Sequence, residues 1–501
     1  MDYIIQGFID AISLTNLLAC FVGVFIGTLV GVLPGIGPVG TMALLLPLTS
    51  FLGPSGGLIM TAGIWYGSQY GGSTTSILLN LPGEAHSVVT CLDGHQMALQ
   101  GRAGVALALA AISSWIAGTI GVLFLSIIAP PLGRAALKIG PPEFFAIALF
   151  GVIVLCNITG KSPVKAGMMM FLGLMFSTIG MDIMTSHNRY TFGIYNLSLG
   201  LEFVPVAMGL FGISELIATC LEKGPRKVAG HTRLRDLIPS GADLRKMLPP
   251  CLRGGATGFF LGLIPGPMAT LSTFVSYKIE KSLSKYPEKF GTGVIEGVVG
   301  PESANNAATA GMMVPLISLG IPFSASTAML LVALIIHGID PGPLFIKDYP
   351  DIFWAFIASM YIGNIFLVIL NLPLISIWVA MLRIPRAYLY PTILLFCCIG
   401  AYSLNSNLFE VKVMLLFGII GYLMRKWNFD PVPLMLGLIL GPIIEKALVQ
   451  SMLMFHRNPL LFLTRPVSAT LLALTLFVML FGYIKAFLIR KLSNNSTSIK
   501  V

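Results

Sequence analysis

The same break interrupts two apolar stretches of this chain, and each residue of its second copy lies 231 positions after its counterpart. Proline and glycine end helices, so a break inside an apolar stretch frees backbone groups that must find other partners. Paired interruptions, one in each half, are typical of duplicated membrane proteins whose ligand site lies at the breaks. The residues are Gly27, Gly31, Pro34 and Gly35 in the first copy, and Gly258, Gly262, Pro265 and Gly266 in the second.

Composition places the chain in a membrane. Of its 501 residues, 55% are hydrophobic and only 10% are charged, whereas a soluble domain carries about 25% charged residues. Apolar runs at 105–130, 205–221, 353–382 and 467–489 approach or exceed the roughly 20 residues that span a hydrocarbon core. They are continuous rather than alternating, which favours helices over barrel strands. We expect an all-α polytopic membrane protein with about 12 membrane segments.

Three other interpretations of the sequence are not favoured: a cleavable signal peptide, functional cysteines and nucleic-acid binding. The first residues include Asp2 and Asp10 and no basic residue, so we do not expect a cleavable signal peptide. Seven scattered cysteines form no CxxC pair and read as apolar fillers. The net charge of +10 is typical of cytoplasmic loops near anionic headgroups, so no nucleic-acid partner is predicted.

The basic residues divide the chain. No Lys or Arg precedes Arg102, and basic residues then concentrate at 223–253 and 278–289. The positive-inside rule places both clusters in the cytoplasm. We therefore predict a first transmembrane repeat at 10–222, a basic cytoplasmic linker at 223–253, a second repeat at 254–450, and a terminal span with a basic polar tail at 451–501.

The charges around each break predict its topology. The apolar stretch between Arg253 and Lys278 is one span long with its break in the middle, so two cytoplasmic ends require a re-entrant hairpin with its tip at 265–267. The first break is flanked by acidic and uncharged residues and is predicted to open to the other side. Equivalent hairpins on opposite faces indicate two inverted-topology repeats. A single kinked span remains the alternative.

A polar segment follows each break, at 70–85 and at 301–327, and Leu81-Pro82 aligns with Ile321-Pro322. A helix that begins inside the membrane presents about four unpaired N–H groups with partial positive charge. Four broken helices directed at one place would hold an anion without lysine. Hydroxyl and amide groups donate to carboxylates, while amide oxygens and unwound carbonyls suit Na⁺.

These arguments yield a set of candidate residues. A possible Na⁺ site lies near Asn80, Asn305, Pro34 and Pro265, and no other cofactor is expected. Two alternatives stay open: the glycines and Asn305-Asn306 could serve helix packing, and Glu302 could be a protonatable coupling group or an interfacial carboxylate. The substrate-binding candidates are Gly35, Ser73, Thr74, Thr75, Asn80, Gly266, Asn305, Asn306, Ser324 and Ser326.

The motifs together resemble the large membrane subunit of bacterial tripartite tricarboxylate transporters, over roughly residues 10–440. The resemblance implies an inner-membrane permease that works with a small four-span membrane subunit and a periplasmic solute-binding protein. It also implies symport of di- or tricarboxylates with an ion, Na⁺ being favoured over H⁺. Phe323 departs from the glycine expected after Ile321-Pro322. The matching segments are 31–38, 70–85, 93–98, 100–104, 301–307, 319–322 and 337–343.

Two rival functions come from other classes. Gly53-Pro54-Ser55-Gly56 matches the pattern of an intramembrane serine protease, which would need His86, His95 or His337 as a base. A passive anion channel would need no coupling ion. The sequence contains no Walker A motif, and we expect a transporter rather than an enzyme.

Overall fold

The computed structural model describes residues 2–32, 37–80, 82–158, 162–182, 187–221, 237–375, 377–378 and 386–480. Within them, helices dominate, and β1 (Gly180–Met181) pairs antiparallel with β2 (Asn188–Arg189). The first-half helices are α1 (Asp2–Ile12), α2 (Leu14–Val32), α3 (Pro38–Thr49), α4 (Gly53–Leu79), α5 (Val88–Met97), α6 (Ala103–Ala136), α7 (Pro141–Ile158), α8 (Pro163–Ser177), α9 (Phe203–Ala207) and α10 (Ser214–Leu221).

The second half is helical as well. Short 3-10 or π-helical turns join several elements of both halves. The remaining helices are α11 (Gly241–Gly262), α12 (Met268–Leu283), α13 (Glu296–Leu319), α14 (Ala325–Ile336), α15 (Phe345–Asp348), α16 (Pro350–Asn371), α17 (Arg386–Asn405), α18 (Leu408–Lys426), α19 (Pro431–Met454) and α20 (Pro466–Leu480).

Within the described residues, five helical stretches are long and apolar enough to cross a membrane. Several shorter apolar helices accompany them, α14 among them. The expectation of an all-helical, multi-pass chain is confirmed at this level, whereas the number of about 12 segments stays a prediction. The five are Leu14–Val32, Pro38–Leu79, Ala85–Ala136, Pro350–Asn371 and Pro431–Met454.

The chain forms two compact units, and each takes segments from both predicted halves. The first contains Met1–Ala136 and Glu202–Met424, and the second contains Leu137–Leu201 and Arg425–Val501. The repeats predicted at 10–222 and 254–450 are proposed copies of one ancestral segment, so their boundaries need not coincide with those of the compact units. The division into repeats stays a prediction.

In the first unit, α2 packs along α4 with backbone against backbone. A Cβ atom added to Gly23, Gly27 or Gly31 would overlap a carbonyl oxygen of α4, at Met60, Ile64 and Ser68 respectively. Residues four apart share one face of a helix, so the three glycines form a continuous seam. Without side chains in the seam, the two helices approach closely enough for extensive van der Waals contact.

The second half contains the same seam between α11 and α13. A Cβ atom added to Gly254, Gly258 or Gly262 would overlap the carbonyl oxygen of Gly300, Ala304 or Ala308. The three glycines of α11 are the counterparts of those of α2 at the spacing of the duplicated break. These glycines therefore serve helix packing, which is the alternative role that the sequence analysis left open for them.

The two long helices also end alike. After α4, Asn80 is left-handed with φ 52°, and after α13, Gly320 is left-handed with φ 71°. Glycine and asparagine are the residues that most readily adopt this conformation at a helix end. This correspondence fits the alignment of Leu81-Pro82 with Ile321-Pro322, which stays a prediction, and Leu81 itself lies outside the described residues.

The second break is a helical hairpin. Helix α11 ends at Gly262, α12 begins at Met268, and Arg253 of α11 donates from Nε to a carboxylate oxygen of Glu280 in α12 at 2.9 Å. This bond joins positions far from the tip, so the helices run back alongside each other and the kinked-span alternative is wrong for this segment. Its re-entrant insertion and the inverted orientation stay predictions. Pro34 and Gly35 of the first break lie outside the described residues.

The second unit is built around α19, which contacts α7 and α8. Gly173 of α8 and Gly437 of α19 both lie against the partner helix backbone. Two ion pairs connect its segments: Arg189 with Glu445 and Arg465 with Glu143, each at 2.7 Å. Both pairs join a residue of 137–201 to one beyond Arg425.

Gly258→Ala tests the α11–α13 seam. The added methyl group meets the backbone of Ala304, which cannot move aside as a flexible side chain could, and overpacking of this kind costs about 1–3 kcal/mol. We expect a lower melting temperature by fluorescence-detected size exclusion. The control is Gly255→Ala on the same helix, where the nearest atom is an ordinary 3.4 Å away. Equal melting temperatures for the two variants would contradict the seam.

Candidate functional site

The breaks of each half meet inside the first unit. In the second half, the Gly266 N–H donates to the carbonyl oxygen of Phe323 at 3.2 Å. Gly266 has φ 138°, which glycine adopts without strain. In the first half, Gly83 packs against the carbonyl oxygen of Gly31. The second-half tip therefore contacts the break that follows α13, and the last turn of α2 contacts the segment that follows α4.

Elements of the two halves also contact each other near the breaks. Helix α12, which follows the second-half tip, contacts the 3-10 turn Ala85–Ser87 that follows α4. Reciprocally, α14 contacts α3 and α4 of the first half. The elements flanking the breaks thus enclose a buried region between the halves, which we call the shared interior. That this region binds a substrate stays a prediction.

Glu302 lies in that interior and joins the halves. Its side chain is 2% exposed. One carboxylate oxygen accepts from the Ser73 hydroxyl at 2.7 Å, and the other accepts from the Thr90 hydroxyl. These bonds connect α13 to α4 and to α5. Glu302 is therefore inside the helix bundle rather than at its surface.

Asn305 shares the face of α13 that carries Glu302. Positions 302, 305 and 309 follow the i, i+3, i+7 spacing of one helix face. Asn305 is 1% exposed, and both atoms of its side-chain amide have no hydrogen-bond partner among the described residues. A buried amide without partners is costly, so this predicted site residue is free to bind a ligand.

Asn306 points elsewhere. Its amide nitrogen donates to the Ser114 hydroxyl on α6 at 2.8 Å and to the Glu302 backbone carbonyl at 3.1 Å. Both bonds hold α13 in place against α6. The helix-packing alternative describes Asn306, and the two neighbouring asparagines have separate roles.

The hydroxyl side chains near the end of α4 also differ in their hydrogen-bond partners. Ser73 donates to Glu302, whereas the Thr75 hydroxyl donates to the Gly72 carbonyl of its own helix. Thr74 is 2% exposed. Asn80 forms the left-handed end of α4 and is exposed. The interior thus contains Ser73, Thr74 and Thr75, but Asn80 lies at its edge.

The candidates after α13 lie at the start of α14. Ser324 caps this helix: its hydroxyl accepts from the Thr327 N–H at 3.2 Å, and Thr327 reciprocates. Ser326 is half-buried in the first turn. Phe323, the departure from the family pattern, is buried and offers its carbonyl oxygen to Gly266.

Sequence reasoning missed three polar groups of the interior. The Gln69 Oε1, Tyr70 hydroxyl and His86 Nε2 atoms are buried without a hydrogen-bond partner among the described residues. A Cβ atom at Gly72 of α4 would lie 3.5 Å from that His86 nitrogen. Tyr70 lies in the polar segment at 70–85 that the sequence singled out, whereas the burial of Gln69 and His86 depends on contacts between segments that no local pattern reveals.

Asp93 anchors the loop that leads into α13. One of its carboxylate oxygens accepts from the backbone N–H groups of Gly291, Gly293 and Val294 at 2.8–2.9 Å. The other accepts from the Tyr277 hydroxyl at 2.9 Å. These bonds tie α5 of the first half to α12 and the start of α13. The sequence did not indicate this role.

The protease alternative lacks its base. Ser55 lies in the first turn of α4, and His95 bonds the Ile77 carbonyl at the other end of that helix. His337 approaches Gly57, but its Nε2 atom has no hydrogen-bond partner among the described residues. His86 lies near Gly72, far along α4. No serine–histidine pair is formed by Ser55 in the described part of the chain.

Asp93→Asn tests the anchor. Hydrogen bonds to a charged acceptor contribute about 1.5–3 kcal/mol each, and the amide turns one acceptor oxygen into a donor that faces other donors. We expect a lower melting temperature than that of Asp340→Asn, a matched change at an exposed carboxylate. If both variants melt together, the Asp93 bonds do not hold the loop.

Comparisons with known proteins agree with this geometry. Residues 17–436 match the model of the tripartite tricarboxylate transporter TctA family. An uncharacterized 52.8 kDa protein in the TAR-I ttuC' 3' region of Agrobacterium vitis is 49% identical over 470 residues, 94% of this chain and 93% of its own length. A protein in the TAR-II ttuC' 3' region of the same organism is 48% identical over 219 residues, 44% of this chain and 90% of its own length. No solved structure matches the chain.

The family is one of transporters rather than enzymes, which confirms the expectation from the sequence and removes the serine protease. The helical architecture and the apolar helices fit a multi-pass membrane protein of this kind. With the family match over most of its length and the 49% identical relative, the chain belongs to the tripartite tricarboxylate transporter TctA family.

Proposed function

We propose that this chain is the permease subunit of a secondary transporter that imports organic carboxylates, tricarboxylate or dicarboxylate, by symport with an ion. Na⁺ is favoured over H⁺ because amide and hydroxyl oxygens, which suit Na⁺, accompany the buried carboxylate of Glu302. The protein resides in the bacterial inner membrane. It works with a small four-span membrane subunit and a periplasmic solute-binding protein that delivers the substrate.

The unpartnered amide of Asn305 carries this proposal. Its nitrogen is a donor in a buried, polar interior where helix breaks meet. Carboxylate oxygens accept from such amides and hydroxyls. The Tyr70 hydroxyl and Thr74 add further donors without adding charge. A neutral donor set binds an anion tightly enough for recognition yet releases it more readily than a lysine would.

The substrate site that we propose uses only some of the candidates predicted from the sequence. Asn305, Ser73 and Thr74 line the shared interior, whereas Asn306 and Ser324 are engaged in helix contacts. Gly266 supports the second tip through its bond to Phe323. The proposal gives Asn305 the principal contact with the substrate.

Reconstituted uptake tests the function. The three components in proteoliposomes are expected to accumulate a tricarboxylate or dicarboxylate from a panel of organic acids when an inward Na⁺ gradient is imposed. Uptake should collapse when the gradient is removed, and it should require the binding protein. Equal downhill flux in Na⁺-free, pH-clamped vesicles would instead identify a passive channel.

Asn305→Ala and Asn306→Ala separate binding from packing. Asn305 has no side-chain bond to lose, and its unpaired amide is itself costly. We therefore expect thermal stability that is at least as high as that of the unmodified chain and normal insertion, with uptake reduced about tenfold or more, the effect of about 1.4 kcal/mol. Asn306→Ala removes two bonds of α13 and should lower the melting temperature. Normal uptake and unchanged apparent affinity in Asn305→Ala would exclude Asn305 from the substrate site.

A further inference from the structure

Glu302 is a buried carboxylate that forms no ion pair within the described residues. Its side-chain hydrogen bonds come from Ser73, Thr90 and Ser114, which are neutral. Among the titratable side chains, Tyr70 on α4 and Cys91 on α5 lie near enough to interact with it electrostatically, and neither supplies positive charge. An ionised carboxylate is costly in such a place unless a cation accompanies it.

Asn305 lies next to this carboxylate on the same face of α13. Its amide oxygen and its amide nitrogen both lack partners in the described structure, at 1% exposure. A proton on Glu302 would neutralise the carboxylate but would leave this amide unexplained. A bound cation uses both groups, because the amide oxygen and the carboxylate oxygens are the hard ligands that Na⁺ accepts.

The hydroxyls of Ser73 and Thr90 complete such a set. Each donates its proton to the carboxylate, and a hydroxyl that donates keeps two lone pairs. Ser73 belongs to α4, Thr90 to α5, and Glu302 and Asn305 to α13. The ligands therefore come from both halves of the chain.

We propose that Glu302, Asn305, Ser73 and Thr90 form a Na⁺ site, and that Asn305 joins the cation to the carried carboxylate. The amide oxygen faces the cation, while the amide nitrogen donates to a substrate oxygen. Na⁺ thereby orients the donor and neutralises Glu302, which would otherwise repel an anionic substrate. The first part stands on the geometry alone, and the second rests on the proposed carboxylate transport.

Direct binding tests the cation site without any substrate. Purified full-length chain in detergent is expected to bind radioactive Na⁺ saturably in a scintillation proximity assay. Glu302→Gln keeps the size of the side chain but removes its negative charge and one of its acceptor oxygens, and it should weaken Na⁺ binding about tenfold or more. Glu410→Gln is the matched control, a buried glutamate of α18 in the same unit, and it should bind as the unmodified chain does.

Ser73→Ala gives a second test that leaves the carboxylate in place, and it should also weaken Na⁺ binding. Gel filtration establishes that each variant is folded. Retained Na⁺ affinity in Glu302→Gln, or absence of saturable Na⁺ binding by the unmodified chain together with uptake driven by a proton gradient, would overturn the Na⁺ site.

Asn305→Asp tests the joining role. The variant keeps an oxygen for the cation but replaces the amide donor with an acceptor. We expect Na⁺ binding to persist while the apparent KM for the carboxylate rises about tenfold or more in reconstituted uptake. Unchanged KM would overturn the bridge. Saturable Na⁺ binding without uptake of any carboxylate would leave the site standing and remove the proposed function.

Discussion

Backbone contact along the two glycine seams determines how the interior of this protein can form. Where Gly27 meets Ile64 and Gly258 meets Ala304, no side chain separates the helices. Dispersion attraction rises steeply at such short separations, and in a bilayer it replaces the hydrophobic effect as the main attraction between helices. Each seam fixes a long helix, α4 or α13, against the hairpin that contains a break. The position of the second break, at 265–266, follows from that register.

Buried carboxylates then join the halves, in addition to the packing of α6 against α13. Glu302 reaches α4 and α5, and Asp93 of α5 reaches the loop before α13. Both bridges join residues about two hundred positions apart in the chain. A carboxylate accepts several hydrogen bonds at once, so one side chain can tie two or three segments. The Asp93 bridge is fully occupied, whereas the Glu302 bridge retains ligand capacity on its hydroxyl partners.

Local patterns in the sequence predicted the parts of this fold that depend on backbone conformation. The Pro-Gly break at 265–266, the glycine spacing and the matching ends at Asn80 and Gly320 are all readable from residue type. Side-chain partners were not readable in the same way. Asn305 and Asn306 are adjacent and identical in type, yet one bonds α6 and the other has no partner in the described structure. Only the rotation of α13 against its neighbours separates them, and that rotation is set by Gly300 and Ala304 on the opposite face.

The rotation of α13 matters because it leaves the polar side chain of Asn305 buried without a partner. A buried donor or acceptor without a partner costs about 1–3 kcal/mol, and the Asn305 side chain carries this cost. A rotation of α13 about its axis could direct that side chain to solvent or to α6. The seam with α11 prevents such a rotation, because Gly258 and Gly262 admit only the small residues of one α13 face. The strength of the seam therefore lets Asn305 stay unpaired beside Glu302. A ligand that satisfies the amide recovers the cost on binding, and this gain is available only while the helix is held at that angle.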